Sequence, residues 1–405
     1  MKYKLSDICF YVKSKVAVST LTDVNYISTE NMLTNKGGIT TATALPSTVQ
    51  TQAYQKNDVL ISNIRPYFKK IWFAENNGGC SNDVLVLRAE EGIDAKFLYY
   101  VLADDAFFDY STATSKGTKM PRGDKTAIMQ YNVSMFDIET QKKISGLLSD
   151  IDTKIALNKK INKNLEEQAS LLFKSWFVDF EPFNEALVNT PAGIATPASL
   201  KMLQIADIPH TLETGKRPKG GAVSEGVPSI GAENVKKLGE VNFSSAKYIP
   251  EDFASKMKTG AVNGYELMLY KDGGKPGTFT PHFSMFGEDF PYKRFFINEH
   301  VFKLDFYNHG FNEFAYFYMQ TDYPYHWLAN NGGKAAVPGI NQQDVNSIWI
   351  FSPDNPKVKE FCNWVQPIFT TIFTNCSQNL KLANLRDSLL PKLISGELDV
   401  SDFDI

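Results

Sequence analysis

The chain repeats itself, and this repeat constrains its fold more than any other feature. Six short stretches recur in the same order, among them LSDI at 5–8 with IADI at 205–208, and SLLFK at 170–174 with SLLPK at 388–392. The separation between matching stretches only rises along the chain, from 200 to 218 residues. One ancient duplication with a few insertions leaves such a pattern, whereas coincidental apolar patterning need not keep the order. The sequence therefore predicts two similar halves in a chain of 405 residues.

Each half begins with a globular part of mixed secondary structure. The segments DVLIS, KIWFA and NDVLVLR are rich in β-branched and aromatic residues and are bounded by turn formers, which predicts strands. The segment IDAKFLYYVLADDAFFDY predicts one helix with Asp94 in its first turn. Together these segments favour an α+β domain with a twisted, mostly antiparallel sheet.

Each half ends in a long helix. Residues 141–177 contain no proline, and their apolar residues recur at alternating steps of four and three, which is a heptad pattern. At about 1.5 Å per residue this segment would form a rod of roughly 55 Å. The counterpart at about 357–394 is less regular, and we expect Pro367 to kink or restart it. Two antiparallel coiled-coil helices should pack on each other or on a partner through Ile144, Leu148, Ile151, Ile155, Leu165, Leu172, Trp176, Leu382, Leu385 and Leu389.

Composition marks the boundary between the halves. Residues 184–199 are small, polar and proline-containing, as is typical of a linker. Asn158 and Asn162 lie in the heptad seam, where they either fix the register or face helices of a partner. The predicted organisation is a first globular domain at 1–138, a spacer helix at 139–183, the linker at 184–199, a second globular domain at 200–353, and a second spacer helix with a C-terminal tail at 354–405.

Charge and cysteine content exclude several classes of protein. The 42 Lys and Arg nearly balance the 45 Asp and Glu, which by itself argues against a nucleic-acid-binding protein. If a chain this neutral did bind nucleic acid, it would have to concentrate its cations on a few loops. Four scattered cysteines without ligand spacing favour a reduced, cytoplasmic protein, with no metal site. Lysines stand where a signal peptide has its apolar core, and no apolar run reaches the length of a membrane helix.

Catalytic motifs do not appear in the sequence. Neither GxxxxGK[ST] nor GxGxxG is present, and no histidines stand at HExxH spacing. All five histidines lie in the second half, which excludes a duplicated enzyme with catalytic histidines in both halves. We therefore predict no catalytic residues.

Basic residues beside glycine recur instead, at matching loop positions of the two halves. Such loops suit phosphate contact, because the backbone can approach closely and its N–H groups add donors. For any single cluster the alternative is a solvated surface. The candidate DNA-binding residues are Lys36, Arg65, Lys69, Lys116, Lys119 and Arg122 in the first half, and Lys216, Arg217, Lys219, Lys271, Lys275 and Lys334 in the second.

These motifs together resemble the DNA-specificity subunit of type I restriction–modification enzymes. The resemblance is carried by IRPYFKK and KDGGKPG, each after a strand, by TGKRPKGG ahead of PSIGAENVKKLG, and by a Gly/Lys loop leading into QKKISGLLSDIDTKIALNKK. The whole unit occurs twice, although the Arg65-Pro66 pair of the first half becomes Gly273-Gly274 in the second.

The resemblance implies a pseudo-twofold, non-catalytic chain that serves in host defence. Its two globular domains would be target-recognition domains, each reading one part of a split double-stranded DNA site. The paired helices would separate them and bind two methyltransferase subunits, and motor–nuclease restriction subunits would join for cleavage. S-adenosylmethionine for adenine-N6 methylation would then belong to the methyltransferase partner, and ATP and Mg²⁺ to the restriction partner, with no cofactor bound by this chain.

Two other classes remain open at this point. The chain could be a single-chain nuclease or methyltransferase, which would show activity on DNA without partners. It could also be a structural or carbohydrate-binding module, which would show no site-selective DNA binding even with a partner present.

Overall fold

The computed structural model describes residues 2–243, 246–333 and 337–400. The chain forms two compact units, Met1–Ile155 with Lys381–Ile405, and Ala156–Leu380. Both long helices contribute to both units, so each unit contains a globular part and a segment of each long helix.

The first unit combines short strands with helices. Its strands are β1 (Lys2–Lys4), β2 (Cys9–Tyr11), β3 (Lys15–Ala17), β4 (Tyr26–Ile27), β5 (Gln50–Tyr54), β6 (Val59–Ser62), β7 (Ile71–Phe73), β8 (Gly78–Cys80), β9 (Val84–Ala89) and β10 (Asn132–Ser134). Its helices are α1 (Ala95–Ala103), α2 (Asp105–Ala113), α3 (Lys125–Ile128) and the start of α4 (Ile138–Phe177). The strands form sheets of order β2-β9-β6-β7 and β3-β5-β8-β4, and β1 pairs with β10.

The predicted helix after β9 is interrupted, and the single-helix prediction was wrong. Asp94 caps α1 by accepting a hydrogen bond from the Phe97 N–H at 2.8 Å. Asp104 ends α1 in an extended conformation and caps α2 by accepting from the Ala106 N–H at 3.3 Å. A second aspartate cap within one apolar stretch therefore starts a second helix, because its side chain satisfies a free N–H of the new first turn.

The second unit repeats this plan. Its strands are β11 (Leu187–Asn189), β12 (Ala195–Pro197), β13 (Met202–Gln204), β14 (Thr211–Thr214), β15 (Val227–Ile230), β16 (Lys247–Ile249), β17 (Leu267–Tyr270), β18 (Phe283–Met285), β19 (Phe296–Ile297), β20 (Val301–Asp305) and β21 (Trp349–Phe351). Its helices are α5 (Glu251–Ala254), α6 (His309–Tyr318), α7 (Asp322–Gly332), α8 (Gln342–Asn346) and most of α9 (Pro356–Ser395). The sheets have the order β14-β20-β17-β18 and β16-β15-β19, and β13 pairs with β21.

The main sheets of the two units have the same strand order and the same register. Val59 pairs with Leu87 in the first unit, and Leu267 pairs with Leu304 at the matching place in the second. Another of the six repeated stretches predicted from the sequence matches NDVLVL at 82–87 with NEHVFK at 298–303, which sets Leu87 against Lys303. The strand pairing shows that this match was one residue out. A shift of one residue in strand pairing turns the side chains of a strand to the other face of the sheet. The alignment of the two halves therefore has to be taken from the hydrogen-bonded strand pairs. The pairs β4–β8 and β15–β19 are parallel and the other pairs antiparallel among the described strands, which confirms a mostly antiparallel α+β fold.

The region predicted as a linker contains a small hairpin, because β11 and β12 pair antiparallel at 187–197. The domain boundaries drawn from the sequence stay a prediction. In the structure, β10 ends at Ser134 before α4 begins, and β21 ends at Phe351 before α9 begins.

Helices α4 and α9 run antiparallel inside each unit. In the first unit, the Arg386 guanidinium bonds Asp152 at 2.7 Å. In the second unit, the Asn158 amide donates to Gln378 at 2.7 Å, and the Asn375 amide donates to Asn162 at 2.8 Å. Helix α9 continues through Pro367 without the expected restart, because Pro367 lies on an exposed face where water can reach the carbonyl that proline leaves unpaired.

The predicted packing residues differ in their burial. Ile144, Leu148 and Ile151 are buried. A second group is half-buried: Ile155, Leu165, Leu172, Trp176, Leu382 and Leu389. Leu385 is 47% exposed and does not pack between the helices, so only its alternative, contact with a partner, stays a prediction. Leu390, Leu393 and Ile394 fill the core of the first unit. Among the described residues, no helix has the length and apolar character needed to cross a membrane.

Candidate nucleic-acid interface

Backbone hydrogen bonds join three loops of the first unit into one surface, which we call the first loop surface. It consists of residues 34–38, 63–70 and 116–123. The Arg65 N–H donates to the Pro121 carbonyl at 2.8 Å, and the Lys36 N–H donates to the Lys69 carbonyl at 2.8 Å. The fold thus brings together all six candidate residues predicted for the first half.

The backbone of the first loop surface is strained. Asn35, Lys36, Arg65 and Lys69 have φ between 50° and 59°, the left-handed region that non-glycine residues seldom adopt. Each such residue costs roughly 1–2 kcal/mol relative to a right-handed conformation. The strain is held in place by hydrogen bonds such as that from the Asn35 N–H to the Phe68 carbonyl at 2.9 Å. Strain of this kind is concentrated at functional sites.

Two exposed cations of this surface are paired with carboxylates. The Lys116 ammonium lies 2.5 Å from Asp124, and the Arg122 guanidinium lies 3.0 Å from Asp83. The hydrogen bond from Lys116 lowers the pKa of Asp124. Lys116 remains 80% exposed, and Lys119 is also exposed, so both can still reach a ligand.

Two further cations share one carboxylate. Lys36 and Lys69 contact Asp105, the first residue of α2, at 2.8 and 3.0 Å. Burial by itself would raise the pKa of Asp105, but the hydrogen bonds from the two lysines outweigh it and lower that pKa. Asp105 is therefore ionised at neutral pH.

Arg65 is held against its own loop. Its guanidinium carbon lies 5.9 Å from the centre of the Phe68 ring, and its Nε is buried without a hydrogen-bond partner. Of the six predicted cations in this unit, Lys116, Lys119 and Arg122 are thus the most accessible.

The second unit carries the matching surface, which we call the second loop surface. Its described part consists of residues 215–221, 271–277, 298–300 and 337–340. The Gly273 N–H donates to the Pro338 carbonyl at 2.9 Å, as Arg65 does to Pro121 in the first unit. Single antiparallel bridges join Asp272 to Gly339 and, in the first unit, Ile64 to Arg122. Lys334 lies outside the described residues.

Cations and acids alternate on the second loop surface. The Lys271 ammonium lies 3.1 Å from the Asp272 carboxylate and 5.6 Å from the centre of the Phe302 ring. Arg217 lies 3.9 Å from Glu299 and is otherwise exposed. The remaining predicted cations, Lys216, Lys219 and Lys275, are exposed on glycine-containing loops.

Sequence reasoning missed the acids of both surfaces. Asp83, Asp105 and Asp124 stand in segments with no signal of their own. In the second unit, His300 bonds Asp272 as well, and it was not singled out either. The one available signal was position, since Asp105 and Asp322 each lie three residues after one of the repeated segments FLYYVL (97–102) and FAYFYM (314–319).

Other reactive groups do not form a site in the part of the chain that is described. There, no three His, Cys, Asp or Glu side chains are grouped so as to hold a metal ion. Burial raises the pKa of the Cys9, Cys80 and Cys362 thiols to about 12, so these thiols stay protonated at neutral pH.

Known proteins are similar to this chain in sequence and in fold. Residues 1–167 match the family model described as "Type I restriction modification DNA specificity domain". The chain is 28% identical over 325 residues to the type I restriction enzyme MjaIX specificity subunit of Methanocaldococcus jannaschii, covering 77% of this chain and 71% of that one. It is 24% identical to the HindI specificity subunit of Haemophilus influenzae, covering 98% and 99% of the two chains.

A solved structure has the same fold. The S subunit of a type I restriction–modification system from M. genitalium aligns with a TM-score of 0.58 at 14% sequence identity, covering 99% of this chain and 96% of that one. At that identity the similarity concerns the fold, and it confirms the predicted fold class.

Proposed function

We propose that the chain is a specificity subunit of a type I restriction–modification system, like the relatives to which it is similar, and that it selects the DNA sequence on which such a system acts. Each unit would contact one half of a split site through its loop surface. The chain itself would perform no chemistry.

The exposed cations suit contact with DNA phosphates. Phosphate contacts position a protein on the duplex without reading its sequence, and they need accessible charges. On the first loop surface these are Lys116, Lys119 and Arg122. On the second they are Lys216, Arg217, Lys219 and Lys275, and we include Lys334 by its place in the sequence.

Partners would supply the catalysis. We propose that two methyltransferase subunits bind the long helices and use S-adenosylmethionine to methylate adenine at N6. Motor–nuclease subunits would add ATP- and Mg²⁺-dependent cleavage. Leu157, Ile161 and Leu171 support a partner on α4, because these apolar residues are exposed at helical spacing in the chain alone.

One observation carries the DNA-binding proposal. The two units keep the same loop geometry, with the hydrogen bonds from Arg65 to Pro121 and from Gly273 to Pro338, although the residues themselves differ. A shared scaffold with different side chains is what two readers of different DNA sequences require, because the scaffold presents the loops while the side chains select the bases.

Replacing Lys119 and Arg122 together by alanine tests the phosphate contacts. We expect weaker binding to every DNA sequence, because two charges that neutralise phosphates are lost. The slope of log K against log salt should become less steep by about 1.8, at 0.9 per phosphate contact. The measurement is fluorescence anisotropy of labelled duplexes across a salt series, with the chain in complex with its methyltransferase.

Lys56 and Lys96 provide the matched control. Both are exposed lysines of the first unit, and Lys56 lies at the end of β6 opposite the 63–70 loop. Their double alanine variant should keep the salt slope of the unchanged chain. An unchanged slope in the Lys119/Arg122 variant would contradict the assignment.

A further inference from the structure

In the ion pairs of Asp105 the carboxylate is the more exposed partner, which distinguishes them from the other ion pairs of the first loop surface. The Asp105 side chain is 56% exposed, whereas those of Lys36 and Lys69 are only 18% and 26% exposed. At the Lys116–Asp124 pair the cation is the exposed member instead. The group presented to a ligand at this place is therefore the carboxylate.

The shortest contacts of the two lysines fall on one oxygen of that carboxylate. Both ammonium groups contact the same oxygen, Asp105 Oδ1, at 2.8 and 3.0 Å. Oδ2 is not the nearest oxygen of either lysine, and the Asp105 side chain keeps 56% of its surface exposed. An ionised carboxylate offers about four acceptor sites, so Oδ2 can still accept hydrogen bonds from a ligand.

The position of Asp105 is fixed from three directions. It opens α2 directly after Asp104, whose side chain caps that helix. The backbones of Lys36 and Lys69 are bonded to each other and are both left-handed. A carboxylate held in this way loses little conformational freedom when it binds a ligand, which favours specific recognition.

We propose that Asp105 reads a base in the half-site bound by the first unit, with Oδ2 accepting a hydrogen bond from an exocyclic amino group. In the major groove these groups are N4 of cytosine and N6 of adenine. A lone carboxylate near DNA is repelled by phosphates, and the two lysines offset that repulsion. Lys36 and Lys69 are then positioning residues that act through Asp105. This inference rests on the proposed DNA-binding function.

The test is a comparison of methylated motifs. The chain, an Asp105→Ala variant and an Asp322→Ala control are each expressed with the methyltransferase partner in a host without adenine methylation, and the genomes are sequenced for N6-methyladenine. Asp322 opens α7 as Asp105 opens α2, it is exposed, and it has no ion-pair partner among the described residues.

We expect Asp105→Ala to relax the motif at one base pair of one half-site, with discrimination there reduced by about 10-fold. The base that becomes degenerate identifies the amino group as that of cytosine or adenine. Asp322→Ala should keep the motif at that position. Asp105→Asn keeps an oxygen for the lysines but adds a donor, so it should alter the preference at the same position.

Other outcomes overturn the inference. If Asp105→Ala and Asp105→Asn keep the motif while all DNA binds more tightly, Asp105 is only a counterion. If Asp105→Ala fails to fold, an unchanged motif in the Asp105→Asn variant contradicts base reading. Absence of a motif even for the unchanged chain would instead contradict the proposed function.

Discussion

At the scale of single residues, carboxylates shape the two loop surfaces as much as cations do. Asp83, Asp105 and Asp124 pair with the basic residues of the first unit, and Asp272 and Glu299 with those of the second. These acids lower the local charge, so non-specific attraction to phosphates is limited and the few exposed cations matter more. Selection among DNA sequences can then depend on where the side chains of the loop surfaces are placed.

Glu313 is the residue whose titration should be visible in the stability of the second unit. It lies fully buried in α6, and neither carboxyl oxygen has a partner. Burial raises its pKa to about 9, whereas the unfolded chain should titrate near 4.3. Between these values only the folded state keeps the proton, so the free energy of unfolding falls as pH rises, by at most about 1.4 kcal/mol per pH unit.

Glu313→Gln should remove this pH dependence. Its melting temperature relative to the unchanged chain should rise between pH 5 and pH 8, as measured by differential scanning calorimetry. Glu225→Gln, at an exposed position of the same unit, should follow the unchanged chain. Parallel curves for Glu313→Gln and the unchanged chain would show that Glu313 is not a buried neutral acid.

At the scale of elements, the sequence repeat predicts the strand pairing of the two units better than apolar periodicity predicts where helices begin and end. In the first unit β6 pairs with β9, and in the second unit β17 pairs with β20 in the matching register. Helix boundaries were less predictable, because Asp104 starts a new helix within one apolar stretch and α9 continues through Pro367.

Core packing of α9 distinguishes Leu393 from Leu385. Leu393 is fully buried in the first unit and Leu385 is 47% exposed. Leu393→Ala should destabilise that unit by about 2–5 kcal/mol, through lost burial and a cavity. Leu385→Ala should change its stability by less than about 0.5 kcal/mol. Chemical denaturation of the isolated chain measures both, and equal losses would contradict the observed orientation of α9.

Much of the fold was predictable from the sequence, while the details of the site were not. The repeat and the Gly/Lys loops identify the elements that carry both loop surfaces. The Lys36–Asp105 and Lys69–Asp105 pairs link residues far apart in the chain, so no local pattern indicates them. The packing of α9 was predicted only in part, because Leu389 packs against the core of the first unit while Leu385 is exposed. A stripe of leucines does not show which of its members meets the core.

At the scale of the whole molecule, a formal net charge of −3 limits how the chain can bind DNA. Its affinity cannot come from a broadly basic surface, so under the proposed function it would depend on the exposed cations of the loop surfaces and on partners. A chain that functions as proposed would select a sequence, and the strength of binding would be a property of the complex. The central claim therefore concerns selection.

Methylome sequencing tests that claim most directly. The chain is expressed with its methyltransferase partner in a host without adenine methylation, beside the methyltransferase expressed alone. The account predicts N6-methyladenine in both halves of one split motif, separated by a gap of unspecified bases, only when the chain is present. Methylation that does not depend on the chain, or that follows one continuous motif, would contradict it.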